Sequence, residues 1–346
     1  MTPYYRLSKD ENELEALKAI HANGNWATGN AISELEIELK ELFNKKHIVL
    51  TSNGYSALFL AIKSLGLKEQ QIIIPAISTC FAISNAVIAT GNIPLFCDVN
   101  LSDGNCSLES ASELCRSKNV KYIIAPNHAG NLTDVKKLKG LGLTVIEDAC
   151  QSFFSSMGQK SGSNVQIFSF YPTKGINGID GGVIATDDER IAIAARKLVY
   201  YDDQENYEST ERYNFRFLNI CGAMALANLK RKESIVRKLN SIKYSYDTII
   251  KHKEGLSVLE NKEHCVAQRY VIFMKDTDLK NKIVDQFKTS QIALSSFFNW
   301  TCPHEEKQKF QNANKLVGNT FCIPYFEDLK DEELKTVNHA LLNATS

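Results

Sequence analysis

Apolar positions in the first two hundred residues switch repeatedly between two periods. Ile32, Leu35, Leu39, Leu42 and Phe43 recur at helical spacing, with Asn30 as the N-cap. His47-Ile48-Val49-Leu50-Thr51 reads as a strand and Ser52-Asn53-Gly54-Tyr55 as a turn. A helix over 56–65 follows, stopped by Gly66. The apolar runs predict further strands at 71–74, 93–99, 120–125, 143–146, 165–170 and 182–186, with helices between most of them. Strands alternating with helices argue for an α/β fold, helices covering a mostly parallel sheet of seven strands. From Gly222 to about residue 253 the pattern predicts one long helix or two, its apolar positions continued by Tyr244, Tyr246 and Ile250. A strand over 267–274, a helix over 279–287 and a terminal helix over 332–342 complete an α+β region. With 346 residues the chain exceeds one ordinary core. The expected division is a large domain over 1–235 and a small C-terminal domain over 236–346.

Composition removes several classes of function. Lys+Arg and Asp+Glu both number 40, so the formal net charge is zero. No basic stripe favours nucleic acid, and no basic amphipathic segment favours a membrane surface. The start of the chain carries no apolar signal core and no run is long enough to cross a bilayer. Nine cysteines form no C-x-x-C pair, and no metal site is read from them. Cys97 and Cys322 lie in apolar runs and read as small buried hydrophobes. An odd count without a disulfide framework fits a reducing cytoplasm.

Candidate chemistry gathers at strand ends. Lys174 follows Phe168-Ser169-Phe170-Tyr171-Pro172-Thr173 and precedes the glycine-rich 175–182. A lysine at a strand exit among small residues can form an imine with an aldehyde, although most lysines are solvated surface charges. Asp148 ends the apolar run Val145-Ile146-Glu147. Alone it reads as a helix cap. Paired with Lys174 it supplies the carboxylate that keeps a pyridinium nitrogen protonated. These are the two groups that pyridoxal 5'-phosphate (PLP) requires. Gln151, in the same turn as Asp148, could meet the ring hydroxyl or lie exposed at a helix start. The Asn53-Gly54-Tyr55-Ser56 turn joins a strand to a helix, and amides at a helix start bind phosphate. Ser169 could reach the same phosphate or satisfy local backbone. Asn214 and Arg216, in Tyr213-Asn214-Phe215-Arg216-Phe217, carry little signal alone, an arginine between aromatics being more often stacked than a ligand. No G-x-G-x-x-G follows the first strand and no Walker lysine loop occurs, which argues against a nicotinamide dehydrogenase.

Together these segments resemble the DegT/DnrJ/EryC1/StrS family, sugar aminotransferases of the aspartate aminotransferase fold (fold type I). The resemblance rests on Glu147-Asp148-Ala149-Cys150-Gln151, Phe168–Lys174, Gly178-Ile179-Asp180-Gly181-Gly182 and Tyr213-Asn214-Phe215-Arg216, in that order and spacing. It implies Lys174 as the cofactor-linked lysine, Asp148 at the pyridine nitrogen and Gln151 near the ring hydroxyl. Gly54, Tyr55 and Ser169 would hold the phosphate. Asn214 would reach the phosphate of a neighbouring subunit's cofactor, which implies a homodimer with shared active sites. Three departures stand out. Tyr55 replaces the family's usual threonine, which preserves an amide contact and loses a short hydroxyl. Cys80 stands where an aromatic often stacks on the ring, and Cys150 replaces a common alanine. Some members carry histidine in place of the lysine and act as dehydratases, a reading that Lys174 opposes.

The function implied is transfer of an amino group from an amino acid, L-glutamate by resemblance, to a keto group of a nucleotide-linked deoxysugar, in a cytoplasmic enzyme. Two alternatives stay open: a PLP transaminase with a keto substrate other than a nucleotide sugar, and a PLP-binding protein without turnover.

Overall fold

The computed structural model describes residues 1–201, 211–259 and 265–344. The apolar runs become strands β1 (His47–Thr51), β2 (Gln71–Pro75), β3 (Ile77–Ser78), β4 (Ile93–Cys97), β5 (Tyr122–Pro126), β6 (Thr144–Asp148), β7 (Val165–Ser169) and β8 (Gly182–Thr186). All but the short β3 form a seven-stranded sheet in the order β1-β8-β7-β6-β5-β2-β4. β8 runs against both neighbours, and the remaining pairs are parallel. The helices are α1 (Glu11–Asn23), α2 (Asn30–Phe43), α3 (Gly54–Ser64), α4 (Ala82–Ala89), α5 (Leu108–Lys118), α6 (Val135–Gly140), α7 (Phe153–Ser156), α8 (Glu189–Val199) and α9 (Asn219–Leu229).

Alternation along the strands sorts side chains into two layers. Ile72, Ile74, Ile124 and Ile146 pack with Leu58 of α3, Ala86 of α4 and Ile191 of α8. The intervening Ile73, Ile123, Ala125 and Val145 pack with Ala111 of α5 and Leu138 of α6. Nearer the β1 edge, Leu50, Phe168 and Val183 pack with Leu35, Leu39 and Phe43 of α2 and Ala225 of α9. The Phe43 and Phe168 rings stack at 4.0 Å between centroids, both fully buried. Because both faces are covered, the strands read as continuous apolar runs.

The apolar pattern after Gly222 resolves into two helices, α9 and α10 (Lys232–Ile250). Between them Arg231 pairs with Asp10 and Glu327. Then come β9 (Leu256–Val258), β10 (Tyr270–Met274), α11 (Thr277–Thr289), β11 (Asn299–Trp300), α12 (Gln311–Asn319), β12 (Thr320–Ile323) and α13 (Asp331–Ala344). β12, β10 and β9 form an antiparallel sheet in that order. Two long-range links tie this half to the N-terminal half of the chain. β11 pairs with β3 just beyond the end of β2. The N-terminal residues also lie along the C-terminal elements, Thr2 bridging Ile292 and Arg6 pairing with Asp328 and Glu333.

Asn30, expected as an N-cap, is instead the first residue of α2; Gly29 holds the cap position and makes no side-chain cap. The cap comes from a distant residue. Asn219 Oδ1 accepts the Ala31 N–H at 3.1 Å, and its Nδ2 donates to the Asn25 carbonyl at 2.7 Å. A Cβ at position 29 would lie 2.5 Å from the Asn219 side chain, so glycine is required for this long-range cap. Asn219→Ala should therefore cost about 1–2 kcal/mol in urea unfolding. Asn30→Ala should cost a few tenths at most. The reverse order would contradict the assignment.

Candidate active site

Six strands, β1, β2, β4, β5, β6 and β7, end on the edge where β8 begins, and a cavity of about 550 Å³ opens there. Open α/β sheets bind ligands at such strand ends. Gly54, Tyr55, Cys80, Asp148, Gln151, Ser169 and Lys174 all line it. Asn214 does not. It is exposed, bridged to Tyr200 outside the cavity, while the neighbouring Phe215 carbonyl accepts the Ser52 N–H at 2.8 Å. Arg216 lies over the Tyr201 ring, 5.1 Å from its centroid, in the stacked arrangement expected between aromatics.

The first wall is the β1–α3 turn. Asn53 caps α3 through a capping box: its Oδ1 accepts the Ser56 N–H at 2.8 Å, and Ser56 Oγ accepts the Asn53 N–H at 3.0 Å. Gly54 and Tyr55, the first two helical residues, have amides that no carbonyl of their own helix can reach. Together with the helix dipole they form an anion site on the cavity. Gly54 lies against the second wall. A Cβ there would stand 2.9 Å from Ser169 Cβ and 3.2 Å from Ser169 Oγ. Ser169 is buried at the end of β7, its Oγ accepting the Tyr171 N–H at 3.2 Å. Beyond it the chain turns, the Lys174 N–H closing on the Tyr171 carbonyl at 2.8 Å, and Lys174 reaches the cavity half-buried.

β6 supplies the acid. Asp148 Oδ1 accepts the Cys150 N–H at 3.1 Å. Burial pushes the Cys150 thiol well up, and the Asp148 carboxylate adds to this while the Lys174 ammonium opposes it. Cys150 is thus a protonated thiol among these charges, not a nucleophile. Gln151 spans two loops, its Oε1 accepting the Ala129 N–H at 2.9 Å and its Nε2 donating to Thr79 Oγ1 at 2.7 Å. Ala129, buried, holds the left-handed backbone conformation at φ 56°, a strain that this contact helps to fix.

Several lining residues are not among the site candidates read from the sequence. His128, buried after β5, donates Nδ1–H to the Gly104 carbonyl at 2.8 Å, which leaves Nε2 as the acceptor facing Ser78 Oγ at 3.3 Å. Burial pushes its pKa down to about 4, so it is neutral. Asp180 comes from the glycine-rich loop. Tyr4, Arg269, Ser295, Ser296 and Phe297 arrive from the two ends of the chain. His128 is the most legible of these, a titratable residue two positions after the run ending in Pro126. Arg269 and Tyr4 are brought in only by tertiary contacts.

Among the described residues no group of three or more His, Cys, Asp or Glu side chains could hold a metal ion. None of their helices is long and apolar enough to cross a membrane.

Comparison with known proteins agrees with this arrangement. GDP-perosamine synthase of Vibrio cholerae is 25% identical over 99% of both chains. A dTDP-3-amino-3,4,6-trideoxy-alpha-D-glucose transaminase of Micromonospora megalomicea is 24% identical over 95% of this chain and 94% of its own. The solved structure of NtdA from Bacillus subtilis, with bound cofactor PMP, superposes with a TM-score of 0.86 at 21% identity, over 97% of this chain and 81% of that one. Residues 7–342 match a single family. The chain belongs to the DegT/DnrJ/EryC1/StrS aminotransferase family, which is PLP-dependent.

Proposed function

We propose that this chain transfers an amino group from an α-amino acid, L-glutamate, to the keto group of a nucleotide-linked deoxysugar. The observation that carries the reading is a single cavity shared by a lysine amine, a strand-end carboxylate and a helix-start anion site. The nucleotide sugars in the names of the relatives support the acceptor.

The residues present fit PLP. The Gly54 and Tyr55 amides and the Ser169 hydroxyl would hold its phosphate, in a cradle that a Cβ at position 54 would fill. Asp148, steadied by the Cys150 N–H, would pair with the ring nitrogen. Gln151 has one Nε2 proton on Thr79 and a second left for the ring hydroxyl. Cys80, exposed on the cavity, would lie beside the ring and offer little stacking area. When bound, PLP supplies an aldehyde that takes up the donor's nitrogen and a ring that stabilises negative charge on the adjacent carbon. Lys174 would hold the cofactor through Nζ. Displaced by the donor, its amine would carry the proton to and from the reacting carbon. Protonated Cys150 adds no competing thiolate.

The second subunit enters through Asn214. It lies exposed beside the phosphate turn, outside its own cavity, where it could serve a second copy of this chain. Exposed Tyr55 and Tyr171 on the cavity, with exposed Phe81 and Ile179 next in sequence to the lining residues Cys80 and Asp180, leave apolar surface around the cavity that supports a homodimer. Nine free thiols support a cytoplasmic setting.

Borohydride reduction of the cofactor-loaded protein followed by peptide mapping should label Lys174, and Lys174→Ala should lose turnover by about a thousandfold or more. Label at another position would end this reading. Gly54→Ala should weaken cofactor binding about ten- to a hundredfold, read by equilibrium dialysis, because one phosphate contact is worth about 1.5–3 kcal/mol. Mixing Lys174→Ala with Asn214→Ala subunits should restore turnover above either variant alone. Absence of any complementation would remove the shared site while leaving the chemistry intact.

A further inference from the structure

The cavity contains a second cation that the cofactor does not use. Arg269 precedes β10 and enters from the C-terminal half of the chain. Its Nη1 donates to the Gln268 carbonyl at 3.1 Å and its Nη2 to the Thr173 carbonyl at 3.0 Å. The guanidinium lies over two rings, 5.7 Å from the Tyr4 centroid and 5.2 Å from that of Tyr5. Among the described residues no carboxylate stands within ion-pair distance of it. Glu327, which shares a small adjoining cavity with Arg269, is paired with Arg231 instead.

A guanidinium has five N–H donors in a planar fork. Two are spent on backbone carbonyls, which orient the fork without neutralising its charge, and three remain. A fixed, half-buried arginine with spare donors and no acid partner suits a planar anion taken in two-pronged fashion, a carboxylate above all. Its tether is informative. The Thr173 carbonyl belongs to the peptide bond that leads into Lys174, and Gln268 Nε2 donates to the same oxygen at 3.0 Å. The guanidinium and the base of the lysine side chain are therefore held to one peptide unit. An α-amino acid carries its carboxylate one bond from the carbon that bears the amine, and that carbon must come to Lys174.

We propose that Arg269 binds the α-carboxylate of the amino-group donor. This rests on the transaminase reading above and adds how the donor is recognised. The donor's amine is thereby directed toward the position held by Lys174, and amines without an α-carboxylate are disfavoured.

The test uses cofactor-loaded wild type, Arg269→Gln and Arg269→Lys. Binding of α-methyl-L-glutamate, which has no α-hydrogen to lose, is titrated through the visible absorbance of the bound cofactor. The donor half-reaction is followed with L-glutamate and with 4-aminobutyrate, its decarboxylated counterpart, and the acceptor half-reaction with a nucleotide keto-sugar. Arg269→Gln should weaken α-methyl-L-glutamate and L-glutamate by about thirtyfold. It should leave 4-aminobutyrate and the acceptor's KM essentially unchanged, and Arg269→Lys should fall between. Equal losses for L-glutamate and 4-aminobutyrate would overturn the proposal in favour of a purely structural clamp on the Lys174 turn. A loss confined to the acceptor would overturn it in favour of the nucleotide diphosphate, and no loss at all would overturn it outright. A wild-type protein that takes up no cofactor, or reacts with no amino acid, would instead overturn the transaminase reading, and this proposal with it.

Discussion

The site depends on how closely two backbones meet at the sheet edge. Gly182 opens β8 between two strands that end there, paired with Thr51 of β1 on one side and Ser169 of β7 on the other. A Cβ at 182 would stand 2.1 Å from the Asn53 carbonyl oxygen and 2.6 Å from Thr51 Oγ1. Any side chain would push the turn away. With glycine the turn drops onto the edge, Gly54 reaches Ser169, and the free amides of α3 come to lie beside the end of β7. The reversed direction of β8 makes this possible, since it sets the start of one strand between the ends of two others. The anion site and the lysine turn are thus neighbours because of one missing methyl group.

A second, polar layer supports the ends of β5 and β6. Asn127 donates to Glu147 Oε1 at 2.8 Å and to Ser152 Oγ at 2.9 Å, while its Oδ1 accepts the Thr133 N–H at 2.8 Å. Glu147 is buried, and its other oxygen accepts from Ser161. A buried carboxylate held by neutral donors costs desolvation, which a hydrogen bond to each of its oxygens offsets. Ala129 adds local strain, and Gly130 brings the same loop so close to the C-terminal half that a Cβ would lie 2.4 Å from the Val266 carbonyl oxygen. Gln151 is fixed by this loop on one side and by Thr79 on the other, so Asp148 and Gln151 keep their positions without help from a ligand.

The legible part of the molecule is the part governed by local rules. Seven apolar runs of strand length appear in order, and each is a strand of the large sheet, because burial on both faces leaves an unmistakable pattern. Asp148, Ser169 and Lys174 are legible for a related reason: strand ends can be located, and strand ends of a parallel sheet share one edge. What sequence does not show is set by contacts distant along the chain. Asn219 caps a helix that begins at residue 30. The two-residue β11 and β3 have no periodicity to detect and exist only because they pair. Arg269 lies in Ala267-Gln268-Arg269-Tyr270, where nothing marks it, and becomes a cavity residue through a carbonyl ninety-odd positions away.

This division has a chemical consequence. The contacts that would hold the cofactor are largely backbone amides and strand-end groups of the large sheet, and they survive side-chain change. Tyr55 illustrates this: exposed at 36%, it offers its N–H from the second helical position whatever its side chain. The groups that would recognise substrates are side chains from elsewhere. Tyr4 comes from the N-terminus, while Arg269, Ser295, Ser296 and Phe297 come from the C-terminal half. The hydroxyl of Tyr5 donates to the Pro172 carbonyl, and Arg269 and Gln268 both donate to that of Thr173, so the lysine turn is gripped by three side-chain donors from the two ends of the chain. A change in substrate at these distant positions can then proceed without disturbing the sheet edge, whereas a change at Gly54 or Gly182 cannot be made locally at all.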